Sequence, residues 1–211
     1  MRAAAPRSWP PPWPEITDET VREAMRRVPR DRFVTDTYRR WAYDDRPLPI
    51  GYDQTISQPF IVAYMTQAIK PQPTHRVLEI GTGCGYQTAV LAEVCQQVDS
   101  VETIEPLATE AAARLQALGY ANVLVHVGDG YDGWPSAAPY DGIVVTAAPP
   151  EVPPALIEQL AEGGRMVIPV GGRHDDQTLF LVEKHKGRAH RHPLLLVRFV
   201  PLLHTGGLHA L

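Results

Sequence analysis

A short apolar strand that runs directly into a glycine loop constrains this chain more than any other feature. The segment is Val77-Leu78-Glu79-Ile80-Gly81-Thr82-Gly83-Cys84-Gly85, with glycine at every second loop position. Glycine lets the backbone turn sharply and lets a ligand approach it closely. A helical pattern over Tyr86–Val94 follows. Strand, glycine loop and helix in that order make the turn at which open α/β sheets bind ligands, outside the carboxyl end of the first parallel strand.

The alternation continues beyond it. Arg76–Ile80, Val98–Glu102, Val123–Val127 and Gly142–Thr146 read as strands. Pro106–Leu118, closed by Gly119, and Pro153–Leu160, followed by Gly163-Gly164, read as helices. Three further strands are expected at Met166–Val170, Leu179–Glu183 and Leu195–Val200. The pattern predicts an α/β fold, a Rossmann-like doubly wound sheet of about seven strands, with N-terminal helices. One of these helices is capped by Thr17 or Asp18, carries Val21, Met25 and Val28 on one face and ends at Pro29. Another covers Gln58 to Ile69, with Phe60, Ile61, Tyr64, Met65, Ala68 and Ile69 as its apolar face. Arg46–Ser57, with Pro47, Pro49 and Gly51, reads as a loop. Met1–Pro14 holds five of the 21 prolines and reads as a flexible or extended arm. The expected division is a proline-rich arm over residues 1–16 and a single domain over 17–211.

Composition excludes several classes of partner. The 211 residues are 44% hydrophobic, enough for one domain with its own core. A net charge of −4 argues against nucleic acid. The longest unbroken apolar run, Phe60–Met65, is too short to cross a bilayer. Arg2 and Arg7 precede no apolar stretch, so the start does not read as a signal peptide. Cys84 and Cys95 read as reduced thiols, and a cytoplasmic monomer is expected.

The chemistry of the loop can be read further. Glu102 follows Gly81 by 21 residues, at the end of the next strand, where a carboxylate accepts ribose hydroxyl protons. A dinucleotide loop has the spacing G-x-G-x-x-G, whereas here the third glycine comes one residue early and Tyr86 takes its place. Glu79, just before the loop, would repel a pyrophosphate and welcome a cationic amino acid group. S-adenosylmethionine carries an ammonium and a sulfonium and no phosphate, so the charge logic favours it over NAD. A nicotinamide-dependent dehydrogenase, a non-catalytic nucleotide-binding module and a ligand-free turn remain the alternatives at this point. Gly128-Asp129-Gly130 follows the third strand. Asp129 can accept from an adenine amino group while Gly130 lets the ring lie close, or the three residues make a plain turn that uses the special backbone angles of Asp and Gly. It is the three successive strand-end loops together that favour a shared pocket.

Three segments together resemble the protein-L-isoaspartate (D-aspartate) O-methyltransferase family. They are Asp44 to Pro59, including Gln54-Thr55-Ile56-Ser57-Gln58-Pro59; Val77 to Gln87; and the stretch from Gly128-Asp129-Gly130 through Thr146-Ala147-Ala148-Pro149 to Ile168-Pro169-Val170-Gly171. Arg198-Phe199-Val200-Pro201-Leu202 also fits, and the likeness spans about Val28 to Leu202. The glycine loop is common to many methyltransferases, whereas the Gln54–Pro59 segment is specific to this family.

The resemblance implies the S-adenosylmethionine-dependent methyltransferase fold and a protein-repair enzyme. Its family methylates the free α-carboxylate of L-isoaspartyl, and D-aspartyl, residues, and the ester collapses to a succinimide. S-adenosylhomocysteine is the other product. A relative acting on ordinary aspartate in one dedicated peptide is the neighbouring reading. By the resemblance Ser57 is the catalytic residue, and Ile56, Ser57, Glu79, Gly81, Gly83, Gly85, Glu102, Asp129 and Gly130 line the cofactor site. Ser57, Pro59, Phe60 and Val200 would meet the isoaspartyl substrate. The sequence departs from the family pattern at Asp53, where glycine is frequent, at Cys84, where serine is usual, and at Leu203, where many relatives have threonine.

An α-carboxylate has a pKa of about 3.5 and is ionised at neutral pH, so the expected chemistry needs no general base. It needs alignment, which can be worth roughly 7–11 kcal/mol of barrier. Ser57 can orient a carboxylate by donating one hydrogen bond, or it can be a helix N-cap, and one residue can do both. His174, His185, His190, His192, His204 and His209 lie after Gly171, but no cysteine or carboxylate follows His190-Arg191-His192 at ligand spacing, so a surface hairpin is expected and no metal. Trp9, Trp13, Trp41 and Trp134 are not expected to form a stacking stripe.

Overall fold

The computed structural model describes residues 5–6, 8–172 and 176–204. His174, His209 and Asp175, and part of the expected arm, lie outside the described residues.

The chain begins with helix α1 (Glu19–Arg27). Asp18 caps it, accepting the N–H groups of Thr20 and Val21 at 2.9 and 3.3 Å. Segments of 3₁₀ helix at Arg30–Arg32 and Asp36–Trp41 lead to strands β1 (Leu48–Gly51) and β2 (Gln54–Ile56), then to helix α2 (Pro59–Ala68). The expected loop over 46–57 is therefore largely a hairpin. Pro49 is tolerated because this is a two-stranded ribbon, in which every strand is an edge. Tyr52 and Asp53 turn the hairpin with φ of 53° and 55°. That is the left-handed region, which explains why glycine suits position 53.

The remainder is β3 (Arg76–Ile80), α3 (Tyr86–Ala92), β4 (Gln97–Glu102), α4 (Glu105–Ala117), β5 (Val123–Val127), β6 (Tyr140–Val145), α5 (Pro154–Gln159), β7 (Leu160–Val170), β8 (Gln177–His185) and β9 (Arg188–Val197). Seven strands form one sheet in the order β5-β4-β3-β6-β7-β8-β9. It is parallel from β5 to β7 and antiparallel from β7 to β9. After β5 the chain returns to place β6 on the other side of β3, so the carboxyl ends of β3 and β6 flank the switch point where such sheets open a crevice.

Alternation along the strands divides the core between the two faces of the sheet. Val77, Val98, Val144 and Val167 pack with the N-terminal helices and α3. Leu78, Ile80, Ile143, Val145, Met166 and Ile168 pack on the opposite side with Leu156.

Several expected boundaries change. The last strand ends at Val197, not Val200. The following segment leaves the sheet because the Gln177 side chain bonds both the N–H and the carbonyl of Phe199, at 2.6 and 3.1 Å. It then crosses to Ala148, whose N–H donates to Val200 O at 2.8 Å and whose carbonyl accepts from Leu202 N–H at 2.9 Å. On α2 the buried side is Pro59, Val62, Ala63, Met65 and Thr66. Of the expected face only Met65 and Ile69 are buried; Phe60, Ile61, Tyr64 and Ala68 are half-buried at its margin.

The described part of the proline-rich segment is tied down rather than a free arm. Trp9 is buried, donates its indole N–H to Met25 O at 3.0 Å, and meets Trp13 and Tyr43 edge to face at 6.2 and 5.0 Å. Trp13 donates to Asp45 at 3.1 Å and packs on Phe60. Trp9 and Trp13 thus form an edge-to-face pair, the geometry that aromatic quadrupoles favour, and not a stacked stripe.

Among the described residues no helix is long and apolar enough to cross a membrane. Nor do three or more His, Cys, Asp or Glu side chains gather as a metal cluster. His190 and His192 sit in the exposed β8–β9 hairpin.

Candidate active site

Three cavities meet at the carboxyl ends of β3 and β6, and Thr55 and Thr146 line all of them. The first is a crevice bounded by Gly81, Gly83, Glu102, Ile104, Gly130 and Leu202. The second is a groove of about 430 Å³ bounded by Ser57, Gln58, Ile61, Asp176, Arg198 and Val200. The third lies between them, beneath Ile56, Ser57 and the loop residues Gly81 to Cys84.

The sequence builds the crevice in a simple way. Gly81 adopts φ 94°, and a Cβ on it would collide with the Thr146 hydroxyl. That hydroxyl lies 2.6 Å from Gly81 O and 2.9 Å from Ile80 O, so Thr146 ties the end of β6 to the start of the glycine loop. Glu102 accepts the N–H of Gly83 at 2.8 Å and that of Ile104 at 3.0 Å. Each carboxylate oxygen keeps a further lone pair for a ligand hydroxyl. A Cβ on Gly130 would stand 2.6 Å from Ile80 and 3.0 Å from Leu202, so only glycine leaves the floor open there.

Among the described residues the lining of this crevice includes one carboxylate, Glu102, and no Lys, Arg or His. Its loop N–H at Gly83 is already committed to Glu102. A pyrophosphate would find repulsion and a spent donor, whereas a cationic donor with ribose hydroxyls would find a partner.

Glu79 is placed differently from expectation. It shares a face of β3 with Val77, toward α3, is fully buried, and does not line the crevice. Its Oε2 accepts from Thr88 and Ser100 at 2.5 and 2.6 Å, and Thr82 joins Ser100 at 2.6 Å. Its Oε1 has no partner. Burial pushes its carboxyl up to about 8, against the lowering effect of the Ser100 and Thr88 bonds. Glu79 therefore props the loop from behind and is not the anion that the crevice presents.

Gly85, Asp129, Pro59 and Phe60 also stand outside these cavities. Gly85 has φ 87° and faces Leu115 of α4 at 3.1 Å from its virtual Cβ, which makes it a helix-packing glycine. Asp129 accepts Tyr131 N–H at 2.9 Å and lies 3.1 Å from His204 Nδ1, while the His204 ring stacks on Tyr131 at 3.9 Å. Pro59 is buried as the first residue of α2. Phe60 faces Trp13 and Tyr64, and its neighbour Ile61 takes the place in the groove. Ile56, Ser57, Gly81, Gly83, Glu102, Gly130 and Val200 are the expected residues that do come together.

Ser57 is not a cap. The N-cap of α2 is Gln58, which makes no side-chain bond, and the N–H of Phe60 is taken by Asp45 at 3.0 Å. Among the described residues the Ser57 hydroxyl has no protein partner, and it lines both the groove and the joining cavity. Sequence reasoning missed Thr55, Thr146 and Ile104, although strand-end counting alone pointed to Thr146. It also missed Arg30, a buried side chain whose Nη2 donates to Ser57 O at 2.8 Å.

Comparison with known proteins agrees with this geometry. The sequence pattern described as protein-L-isoaspartate(D-aspartate) O-methyltransferase (PCMT) matches residues 14–206. A curated protein-L-isoaspartate O-methyltransferase of Opitutus terrae is 62% identical over 187 residues, 89% of this chain and 80% of that protein. One of Gloeobacter violaceus is 53% identical over 89% of this chain and 91% of its own. A solved protein-L-isoaspartate O-methyltransferase superposes with a TM-score of 0.83 at 33% identity; the match covers 89% of this chain but only 62% of that longer one. A Plasmodium falciparum structure, described as a putative protein-L-isoaspartate O-methyltransferase in complex with S-adenosyl-L-homocysteine, shares the fold with a TM-score of 0.77 at 24% identity, over 90% of this chain and 93% of that one. The chain belongs to the protein-L-isoaspartate (D-aspartate) O-methyltransferase family.

Proposed function

We propose that this chain methylates the free α-carboxylate of L-isoaspartyl, and D-aspartyl, residues in damaged proteins and peptides, with S-adenosylmethionine as the donor. The methyl ester then closes to a succinimide, which hydrolyses partly to normal aspartate. One observation carries the reading: among the described residues, a crevice whose only charged lining is a carboxylate opens, past Thr55 and Thr146, into a groove lined by a Ser57 hydroxyl with no protein partner.

Gly81, Gly83, Glu102, Ile104 and Gly130 would hold the donor, with Glu102 on its ribose hydroxyls. When bound, S-adenosylmethionine supplies a methyl group on a positively charged sulfur. The open floor at Gly130 supports this fit, as does the absence of any basic side chain from the lining among the described residues.

Ser57 donates its hydroxyl to one oxygen of the acceptor carboxylate and leaves the other free to attack. No proton has to be removed, because the acceptor is ionised at neutral pH. Among the described residues that line the groove there is neither His nor Cys, in keeping with that requirement. Ile61, Val200 and Phe199 shield the reacting pair from water, which favours a step that neutralises opposite charges.

The enzyme is proposed to work as a cytoplasmic monomer on proteins rather than nucleic acid. The net charge of −4 and the two buried, unpaired cysteines support this.

A methyl-transfer assay that pairs an isoaspartyl peptide with its aspartyl isomer tests the proposal. Base-labile methyl ester on the isoaspartyl form alone is expected. Equal or faster turnover of the aspartyl form would overturn it in favour of an enzyme with a dedicated aspartyl peptide.

A further inference from the structure

Arg30 is an unusual residue for its position. It is fully shielded from solvent, and it gives its guanidinium to two carbonyls and a ring rather than to a carboxylate partner. Nε donates to Ala42 O and Nη2 to Ser57 O, both at 2.8 Å, and Cζ stands 4.6 Å over the ring of Tyr86. Among the described residues Nη1 is buried with no partner. Burying a guanidinium with a donor left unsatisfied is costly and calls for an explanation.

The bond to Ser57 supplies one. The Ser57–Gln58 peptide is trans, since the cis bonds lie elsewhere. In a trans peptide the carbonyl and the following N–H point in opposite directions. Holding Ser57 O toward Arg30 therefore turns the N–H of Gln58 away from Arg30. That N–H has no partner among the described residues, and Ser57 and Gln58 both line the groove. We propose that Arg30 is a positioning residue for the methyl acceptor: by fixing the Ser57 carbonyl it presents the Ser57 hydroxyl and the Gln58 N–H together to the acceptor carboxylate. The guanidinium acts through one peptide plane and does not touch the carboxylate, so it orients the nucleophile without forming an ion pair with it. Lysine could not do the same, because a single ammonium on a flexible stem does not span two carbonyls in a fixed fork.

The glycine loop has supports besides Arg30. Tyr86, which opens α3 after the glycine loop, is also held by Phe33, edge to face at 5.5 Å, and by Met25 Sδ at 3.7 Å. The role proposed for Arg30 is therefore on the acceptor side, where Ser57 and Gln58 line the groove.

The inference rests on the methyl-transfer reading, and its test separates the two. Wild type, Arg30→Ala and Arg30→Lys are assayed on one isoaspartyl peptide. Titration calorimetry with S-adenosylhomocysteine counts folded donor sites and gives their affinity. In Arg30→Ala, kcat per binding site should fall on the order of 100-fold, the cost of a misaligned nucleophile, while the peptide KM and the S-adenosylhomocysteine Kd stay within about threefold. Guanidinium ion at a non-denaturing concentration should restore kcat about tenfold, and potassium at the same ionic strength should not. Arg30→Lys should lose about tenfold in kcat, having kept the charge but not the fork. An unchanged kcat per site in either variant overturns the inference. So does a loss that appears in the donor Kd, or one that guanidinium does not relieve. Should Arg30→Ala fail to fold, Arg30→Lys decides by its kcat per site. An inactive wild type would instead overturn the methyl-transfer reading itself.

Discussion

Glu102 accepts the backbone N–H of Gly83 at 2.8 Å, so the acid at the end of β4 is bonded to the glycine loop that follows β3. The same carboxylate takes the N–H of Ile104 at 3.0 Å, which fixes it from two sides before any ligand arrives. Glu102→Gln replaces one acceptor oxygen with a donor that faces one of those N–H groups. Affinity for S-adenosylhomocysteine, read by calorimetry, should fall about 10- to 100-fold, the range for a hydrogen bond to a charged group. Affinity within threefold of wild type would remove Glu102 from the site.

Gly130 leaves no room for a side chain between Ile80 and Leu202. Gly130→Ala should displace Leu202 and narrow the crevice. The expected result is at least tenfold weaker S-adenosylhomocysteine binding, with a stability loss of about 1–3 kcal/mol from overpacking. A variant that binds normally would mean that the donor does not lie over Gly130.

Glu79 makes stability depend on pH in a direction opposite to that of a surface carboxylate. Burial raises its folded pKa from the ordinary 4.5 to about 8. Between those values the folded state holds a proton that the unfolded state has released. Stability contributed by the protonated form is complete below pH 4.5 and is lost as pH rises toward about 8. Glu79→Gln keeps the acceptor for Thr88 and Ser100 without the titration. Urea unfolding of both proteins across this range should show wild type losing stability relative to the variant, on the order of a few kcal/mol. A difference that does not change with pH would contradict the assignment.

Trp9 anchors the N-terminal segment through its ring and its bond to Met25 O. Trp9→Ala should cost about 3–5 kcal/mol in denaturant unfolding, the range for a buried large aromatic. A cost below 1 kcal/mol would show that the segment is held by other contacts.

The parts legible in the sequence were those in which period and punctuation agree. The strands β3, β4, β5 and β6 follow from residue spacing to within about two residues, as do α4 with Gly119 behind it and α1, whose cap the spacing left between Thr17 and Asp18; β7 begins at Leu160 rather than at the expected Met166. What escaped depends on contacts between distant residues. Pro47, Pro49 and Gly51 mask a hairpin that is defined by the pairing of Leu48 with Ile56. A proline-dense start conceals Trp9, whose partner lies 16 residues away. Val200 belongs to the site but not to the sheet, because Gln177 draws Phe199 out of the strand direction. Glu79 was misplaced because strand alternation, which sends it toward α3 with Val77, outweighs its closeness in sequence to the loop. Arg30 gives no local signal at all, since its role comes from Ala42, Ser57 and Tyr86 meeting around it.

The central claim is that the Glu102 crevice and the Ser57 groove hold donor and acceptor on either side of Thr55 and Thr146. A crystal structure with S-adenosylhomocysteine and an isoaspartyl peptide bound together tests it most directly. The account predicts the ribose on Glu102, the sulfur beside the two threonines, and a carboxylate oxygen of the isoaspartyl residue within hydrogen-bonding distance of Ser57 Oγ. A peptide carboxylate bound away from Ser57, or a nucleoside lying outside the Glu102 crevice, would contradict it.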